Sequence, residues 1–253
     1  MDEMMSNVLA MSEKKIESLI RKALYEYSLL EGVSKLAVAL SGGKDSMTLL
    51  WMLKNILGRG FPDCELIAIH VRGAFSCGPS VHSSFLENFC LSLDVPLFME
   101  ESTLSKEKLS CYPCSRQRRK LIFEAAKREG ACTIAFGHHR DDLAQTLLMN
   151  LLHKGEFAGN LPKLELVDFG VTIIRPLVFV SEKEILGFAR QKEFARITCQ
   201  CPIGVDSMRK KVDRILDDLQ KLFPNVRQNV ATAGLIYGSD KAKRKKTSSS
   251  SDE

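Results

Sequence analysis

The fold is decided by one stretch of the chain, Leu36-Ala37-Val38-Ala39-Leu40-Ser41-Gly42-Gly43-Lys44-Asp45-Ser46. Its apolar first half predicts a buried parallel strand, and the apolar spacing after the two glycines predicts a helix. A glycine turn at this place aims backbone N–H groups at an anion and lets a phosphate approach closely. Lys44 adds a cation to the turn, and the hydroxyls of Ser41 and Ser46 add donors. Asp45 would repel a phosphate unless a divalent cation lay between them, so the stretch predicts a nucleotide bound with Mg²⁺.

The turn is not a Walker A loop, because residues 37–40 provide no glycine at the position that such a loop requires. The simpler interpretation is a glycine turn that opens an ordinary strand–helix unit. The coincidence of strand, paired glycines, charge and helix argues against that interpretation and favours a phosphate-binding loop.

Length and composition limit the classes of protein. The 253 residues, 45% of them hydrophobic, suit one large α/β domain or one domain with a small appendage. No apolar run approaches the length of a membrane span, and the acidic, Met-rich first residues lack a signal pattern. We therefore expect a cytoplasmic protein with no membrane partner.

The net charge of +5 is unevenly distributed. Two basic clusters favour a polyanionic partner such as a nucleic acid, although solvated helix faces are the commoner cause of such clusters. The clusters are Arg116, Arg118, Arg119 and Lys120, and Lys241, Lys243, Arg244, Lys245 and Lys246.

Predicted strands alternate with predicted helices, which indicates a doubly wound parallel α/β sheet with a helical C-terminal extension. The predicted strands cover residues 36–40, 65–71, 95–99, 133–136 and 171–174. The predicted helices cover residues 12–30, 47–57, 80–93, 115–129, 141–153, 207–223 and 225–236, with another that starts at the capping box 181–184. Ligands of such sheets bind beyond the carboxyl ends of the strands, so Ser41, His70 and Gly137 are expected to meet at one rim.

The same patterns predict three regions: an N-terminal helix in residues 1–30, the main α/β domain in residues 31–223, and a short helix with a disordered, basic, Ser-rich tail in residues 224–253. Residues 154–170 are rich in glycine and polar groups, and we expect them to form a mobile lid over the rim.

The cysteines suggest a metal or redox centre. Cys111-Tyr112-Pro113-Cys114 precedes the predicted basic helix, where two thiolates can bind one metal and the helix N-terminus stabilises thiolate charge. Cys199 and Cys201 form a second pair. Three interpretations stay open: a zinc site of all four thiolates, a redox dithiol of the first pair, and an iron–sulfur cluster on three cysteines. The remaining cysteines, Cys64, Cys77, Cys90 and Cys132, are expected to be buried thiols.

Three further motifs make a family resemblance specific. They are Cys111-x-x-Cys114-Ser115-Arg116-x-Arg118-Arg119, Gly137-His138-His139-Arg140-Asp141-Asp142-x-x-Gln145-Thr146, and Arg175-Pro176-Leu177. With the Ser-Gly-Gly-Lys-Asp-Ser loop, the chain resembles the tRNA-cytidine 2-sulfurtransferase family (TtcA) of the PP-loop N-type ATP pyrophosphatases, over roughly residues 15–223. Lysidine synthetases share the loop but lack these cysteines, and the thiouridine-forming relatives carry additional zinc modules that are missing here.

The resemblance implies the adenine nucleotide alpha hydrolase-like fold and an ATP-dependent tRNA thiolation domain in residues 31–223. The implied enzyme adenylates the C2 oxygen of a tRNA cytidine, at position 32 of the anticodon loop, and replaces that oxygen with sulfur. AMP and pyrophosphate are released. The implied cofactors are ATP, Mg²⁺ and a [4Fe–4S] cluster. The implied partners are tRNA and a cysteine desulfurase or another sulfur donor, and relatives commonly form homodimers.

The resemblance also implies roles for particular residues. Cys111, Cys114 and Cys201 would be the metal ligands of the cluster. Cys201 is preferred to Cys199 because its spacing to Arg209 matches the family, yet the choice stays open. The implied catalytic residues are these three cysteines with Asp45, Arg118 and Asp141. The implied nucleotide-binding residues are Ser41, Gly42, Gly43, Lys44, Asp45, Ser46, His70, Gly137, His138 and Asp142.

Several of these residues also have purely structural explanations. Asp141 and Asp142 match a plain helix N-cap, and His138 and His139 match packing residues. The alternative functions are thiolation of another tRNA pyrimidine to give 2-thiouridine, action on a small molecule, and nucleotide or metal binding without catalysis.

Overall fold

The structure is a computed structural model that describes residues 2–72, 83–102, 111–194 and 208–240. The strands are β1 (Lys35–Ala39), β2 (Glu65–Arg72), β3 (Leu97–Glu101), β4 (Thr133–Ala135), β5 (Ala158–Gly159), β6 (Lys163–Leu166), β7 (Val171–Ile174) and β8 (Ser239–Asp240). The helices are α1 (Asp2–Glu26), α2 (Lys44–Ile56), α3 (Ser83–Ser92), α4 (Cys111–Arg128), α5 (Arg140–Lys154), α6 (Glu182–Gln191), α7 (Met208–Leu222) and α8 (Val226–Tyr237). A short 3₁₀ helix, Val167–Phe169, precedes β7.

The central sheet has the strand order β3-β2-β1-β4-β7-β6 and is parallel except for β6, which confirms the predicted α/β class. The chain winds from β1 through β2 to β3 on one side and then returns to place β4 on the other side of β1. The carboxyl ends of β1 and β4 therefore flank the point at which the winding direction reverses. This crevice is where open α/β sheets bind their ligands.

Both faces of the sheet are covered, which explains why β1 is apolar from Leu36 to Ala39. Alternate side chains of β1 and of Leu40, the residue after it, enter different cores: Leu36, Val38 and Leu40 face the larger core, whereas Ala37 and Ala39 face the smaller one. The larger core is built with α1, α2, α5 and α6, and the smaller core contains Phe123 and two alanines of α4. The small side chains of β1 leave room for α4 against the sheet.

Residues 154–170 do not form the mobile lid that their glycines suggested. They contain β5 and β6, and β6 pairs antiparallel with β7 so that Leu164 lies opposite Ile173. Leu164 is buried while Lys163 and Glu165 are exposed, which is the two-residue period of an edge strand. The expectation was wrong because it gave weight to the glycines and overlooked this alternation.

The cysteine expectations are partly confirmed. Cys64 and Cys90 are buried free thiols, and burial raises the pKa of Cys90 to about 11. Cys132 is exposed, contrary to expectation, and Cys77 lies outside the described residues. Within the described ranges, no helix is long and apolar enough to cross a membrane.

The C-terminal helices pack on α5 through a close contact at Gly234 in α8. A Cβ at Gly234 would overlap Leu147 Cδ1 and lie 3.1 Å from Leu147 Cγ. Leu147 is completely buried. Only glycine therefore lets α8 approach α5 this closely.

We predict that Gly234→Ala destabilises the protein by about 1–3 kcal/mol, because the added methyl group overpacks the contact with Leu147. The matched control is Gly187→Ala in α6, where the added methyl group meets no neighbouring group within 4 Å. That change should stabilise the protein by roughly 0.5–1 kcal/mol through helix propensity. Urea unfolding monitored by circular dichroism measures the free energy of unfolding of both variants. Equal effects of the two changes on that free energy would contradict the packing described.

Candidate active site

The loop between β1 and α2 is held in shape by its own hydroxyl groups. Gly42 has φ +83°, a conformation that glycine adopts without strain, and α2 starts at Lys44. Ser46 Oγ accepts a hydrogen bond from the Ser41 backbone N–H at 3.1 Å and donates one to the Gly43 carbonyl at 3.0 Å. Ser41 Oγ accepts from the Gly43 N–H at 3.2 Å. The two hydroxyls, expected to face a phosphate, thus form the scaffold of the loop.

Gly137, which follows β4, lies directly against this loop. A Cβ at Gly137 would come within 3.0 Å of Ser46 N and 3.1 Å of the Asp45 carbonyl carbon. These are backbone atoms, which cannot yield as a side chain can. Glycine at this position therefore lets the turn after β4 contact the turn after β1, as expected for two strands beside the crevice.

Lys44 is held between two carboxylates. Its Nζ lies 3.0 Å from Asp45 Oδ1 and 3.0 Å from Glu182 Oε1 at the start of α6. Burial alone would lower the pKa of Lys44, but the two carboxylates outweigh it and raise that pKa above its ordinary value. Glu182 was not among the predicted site residues, because in the sequence it belongs to the capping box of residues 181–184. Its position soon after β7 placed it near the same rim and was the available signal.

Asp142 and Asp45 both approach the same nitrogen of the His139 ring. His139 Nε2 lies 3.4 Å from Asp142 Oδ2 and 3.8 Å from Asp45 Oδ1. Arg209 Nη1 of α7 lies 3.4 Å from Asp142 Oδ1. Burial favours a higher pKa for Asp142, but the positive charges of His139, His138 and Arg209 lower it to about 2. Asp142 is therefore an ionised group at the rim.

Asp141 is engaged on both carboxylate oxygens. Its Oδ2 accepts a 2.8 Å hydrogen bond from the Glu182 backbone N–H, and its Oδ1 lies 3.9 Å from Arg227 Nη1 of α8. The side chain is buried. These contacts suit a cross-link between helices, and they favour Asp142 over Asp141 as the partner of Asp45 in holding a cation.

The histidine and arginine predictions meet at the same rim. His70 is buried, and its Nδ1 lies 2.7 Å from the carbonyl oxygen of Leu40, the residue before the loop. Burial lowers the pKa of His70 against the opposing effect of this hydrogen bond, and the nearby Arg118 and Arg72 charges add to the lowering. His138 stacks on Phe136, with ring centroids 5.8 Å apart.

The start of α4 also reaches this rim. Arg118 Nη2 lies 3.4 Å from the Val71 carbonyl oxygen near the end of β2, and Ser102 Oγ donates to Gln117 Oε1 at 2.7 Å just after β3. Cys111 is the first residue of α4 and Cys114 lies in its first turn, so the motif opens the helix and does not precede it. Cys199 and Cys201 lie outside the described residues.

Arg175, from the third motif, follows β7 and is buried. Its Nη1 donates to the Leu161 carbonyl and its backbone N–H donates to the Pro162 carbonyl at 2.8 Å. This arginine therefore fixes the turn that leads into β6, at the same end of the sheet as the loop after β1.

A phosphate-binding loop at the reversal point of a parallel sheet, with a lysine and paired carboxylates beside it, defines a PP-loop nucleotide-binding protein. A family model described as a PP-loop domain matches residues 9–198. The chain is 34% identical over 229 residues to the tRNA-cytidine(32) 2-sulfurtransferase of Bordetella avium, covering 87% of this chain and 72% of that protein. It is also 34% identical over 234 residues to the enzyme of that name from Coxiella burnetii strain CbuG_Q212, covering 88% and 91%. The chain belongs to the tRNA-cytidine 2-sulfurtransferase family of PP-loop proteins, as its motifs indicated.

A solved structure agrees with this assignment. The fold is similar to that of the U34-tRNA thiolase NcsA from Methanococcus maripaludis, a structure that includes its [4Fe–4S] cluster. The TM-score is 0.71 at 26% identity, and the match covers 87% of this chain and 76% of that chain.

From the lowered pKa of Asp142 we predict how the free energy of unfolding changes at acid pH. Its folded-state pKa of about 2 lies below the ordinary 3.8, so the ionised carboxylate stabilises the fold above pH 3.8. That contribution is lost as the pH falls from 3.8 toward 2. Asp142→Asn should therefore cost about 2 kcal/mol near pH 5, where the ionised carboxylate still faces these positive charges, and this cost should shrink to nearly nothing as the pH falls toward 2.

Urea unfolding at a series of pH values measures this difference between wild type and variant. Asp168→Asn is the control, because Asp168 is exposed on the short 3₁₀ helix. A cost of Asp142→Asn that stayed constant down to the acid end would show that the ionised carboxylate contributes nothing.

Proposed function

We propose that the protein is an ATP-dependent tRNA sulfurtransferase that replaces the C2 oxygen of a cytidine with sulfur, at position 32 as in the relatives that bear this name. AMP and pyrophosphate are the other products. One observation carries the proposal: the loop after β1 and the start of α4, which bears Cys111 and Cys114, lie at the same rim of the sheet. ATP activation and sulfur delivery require this proximity, because the activated base has to meet the sulfur.

The triphosphate of ATP is assigned to the loop after β1. The N–H groups at the start of α2 form an anion-binding helix terminus, and Gly42 and Gly43 present them without side chains in the way. The Lys44 ammonium adds positive charge beside the same turn. We assign the adenine to the neighbouring backbone near His70 and Gly137, which border the turn on either side.

The donor set at the loop fits a magnesium ion. Two carboxylates, Asp45 and Asp142, converge on His139 Nε2, and they also pair with the cationic Lys44 and Arg209. Oxygen ligands of this kind are those that Mg²⁺ prefers. When bound there, the ion would neutralise phosphate charge and polarise the phosphorus–oxygen bonds.

Adenylation solves the chemical problem of the substrate. The C2 oxygen of cytidine is a poor leaving group, and attack of that oxygen on the α-phosphate of ATP converts it to one that departs with AMP. The attack builds negative charge at the phosphate and on the departing pyrophosphate. Lys44 and the N–H groups at the start of α2 are placed to stabilise this charge.

The proposed cysteine ligands fit an iron–sulfur cluster. Thiolate sulfur is the donor that such clusters use, and Cys111, Cys114 and Cys201 supply three. Three protein ligands leave one iron without a protein ligand, and there the cluster would supply a place for the transferable sulfur. Arg118 lies in α4 after both cysteines and contacts the end of β2, where we assign it to hold phosphate of the nucleotide or the RNA backbone.

tRNA is the substrate in this proposal, in which the target base is unstacked from its loop. A cysteine desulfurase or another sulfur donor, a homodimer and a cytoplasmic location complete the proposal. A second candidate function, thiolation of a tRNA uridine, is favoured by the likeness to the U34-tRNA thiolase.

We predict that deleting the gene in its host removes 2-thiocytidine from tRNA, as measured by mass spectrometry of the nucleosides. Complementation with Cys111→Ala should not restore 2-thiocytidine, because the cluster loses a ligand. Complementation with Cys132→Ala should restore it, since Cys132 is exposed and is not one of the proposed ligands. After anaerobic reconstitution, the visible charge-transfer absorption of the cluster should be lost in the first variant and kept in the second.

The outcomes separate the candidates. Loss of 2-thiouridine with 2-thiocytidine unchanged would favour the second candidate function and reject cytidine as the substrate. A reconstituted wild-type protein that binds zinc and takes up no iron would overturn the cluster assignment.

A further inference from the structure

The C-terminal helices contact the nucleotide site at Arg209 of α7 and at Arg227 of α8, although both helices lie beyond the residues 9–198 that match the PP-loop domain. The side chain of Arg227 in α8 is 12% exposed; its Nη1 lies 2.8 Å from Asp213 Oδ1 and its Nη2 lies 2.7 Å from Asp217 Oδ1, both in α7. These ion pairs fix the arginine between the two helices. A guanidinium held in this way is a rigid support for whatever else it contacts.

The next contact of Arg227 is the buried Asp141. Arg227 Nη1 lies 3.9 Å from Asp141 Oδ1, and the other oxygen of the same carboxylate accepts the 2.8 Å hydrogen bond from the Glu182 N–H. Asp141 thereby connects the start of α5 to the start of α6. Because the carboxylate is buried, with one oxygen hydrogen-bonded and the other in an ion pair, its position fixes that of the Glu182 backbone.

The Glu182 side chain completes the chain of contacts. Its Oε1 lies 3.0 Å from Lys44 Nζ, and Asp45 Oδ1 lies 3.0 Å from the same nitrogen. An ammonium group has three N–H donors. Asp45 Oδ2 lies 3.2 Å from that nitrogen as well, so three carboxylate oxygens surround the ammonium and fix its place beside the loop.

We propose that Arg227, Asp141 and Glu182 act as positioning residues that orient Lys44 for charge stabilisation at the ATP phosphates. This inference rests on the proposed function. It makes α8 a working part of the nucleotide site. A donor that is oriented before the reaction stabilises the charge that develops in the transition state more than it stabilises bound ATP. We call the contacts that run from Arg227 through Asp141 and Glu182 to Lys44 the relay. Loss of the relay should therefore lower kcat with little change in the KM for ATP.

The test measures tRNA-dependent release of pyrophosphate by the full-length, cluster-loaded protein. Arg227→Gln and Glu182→Gln should each lower kcat about tenfold and change the KM for ATP less than about threefold, because orientation is lost while the charge of Lys44 remains. Arg227→Lys, which keeps the charge but not the planar fork, should recover part of the loss. The double variant should be no slower than Glu182→Gln alone, since both changes interrupt one path.

Asp217→Asn is the matched control. Asp217 pairs with Arg227 Nη2, whereas Asp141 faces Nη1, so this change weakens the support between the helices and leaves the relay contact in place. Its kcat should stay within about twofold of wild type, by the small cost expected of an exposed ion pair. Unfolding curves show whether each variant is folded. If Arg227→Gln does not fold, Glu182→Gln still tests the proposal.

Several results would overturn the proposal. They are a folded Arg227→Gln protein with wild-type kcat, a rise in KM alone, multiplicative losses in the double variant, and a loss in Asp217→Asn equal to that in Arg227→Gln. A wild-type protein that releases no pyrophosphate with tRNA would overturn the proposed function and the relay together. Active wild type with unaffected variants would overturn only the relay.

Discussion

Much of the site depends on one backbone contact, that between Gly137 and the residues Asp45 and Ser46 at the start of α2. A Cβ at Gly137 would lie only 3.0 Å from Ser46 N. The absence of a side chain at Gly137 therefore lets the turn after β4 pack directly against the loop after β1. This contact places His139 and Asp142 opposite Asp45. Without it, the charges that surround the loop would belong to two separate turns.

Positive and negative side chains are paired at this rim. Lys44 lies between Asp45 and Glu182, and Asp142 pairs with Arg209. In the proposed complex, a metal ion would neutralise the carboxylates, and the phosphates would pair with the cations. Such pairing keeps partly buried charges satisfied, because an unpaired buried charge is costly.

The strand, turn and helix from Leu36 onward could be predicted because each feature is local: an apolar run, paired glycines and a helical spacing. The sheet edge was misread because the alternation around Leu164 is short and lies among glycines. The predicted helix began one turn later than α4, which starts at Cys111, although proline is favoured in the first turn of a helix and Pro113 lies there. In each case, the error lies at an element boundary or edge, where local signals compete.

The partners of the site residues could not be predicted from the sequence. Glu182, Arg209 and Arg227 approach Lys44, Asp142 and Asp141 through the packing of α6, α7 and α8, and no local pattern encodes those distances. Helix packing is set by side chains distant in sequence, such as Leu147 against Gly234. The residues proposed to carry the chemistry were visible in motifs, whereas the residues that contact them became visible only in the fold.

The central claim is that the nucleotide phosphates and the sulfur-carrying metal centre share one rim of the sheet. A crystal structure of the anaerobically reconstituted protein with Mg²⁺ and a non-hydrolysable ATP analogue tests it most directly. We expect triphosphate density at Gly42 and Gly43, and iron density at Cys111 and Cys114 on the same side of the sheet. Iron bound at the opposite end of the strands, or a nucleotide bound away from the glycine turn, would contradict the account.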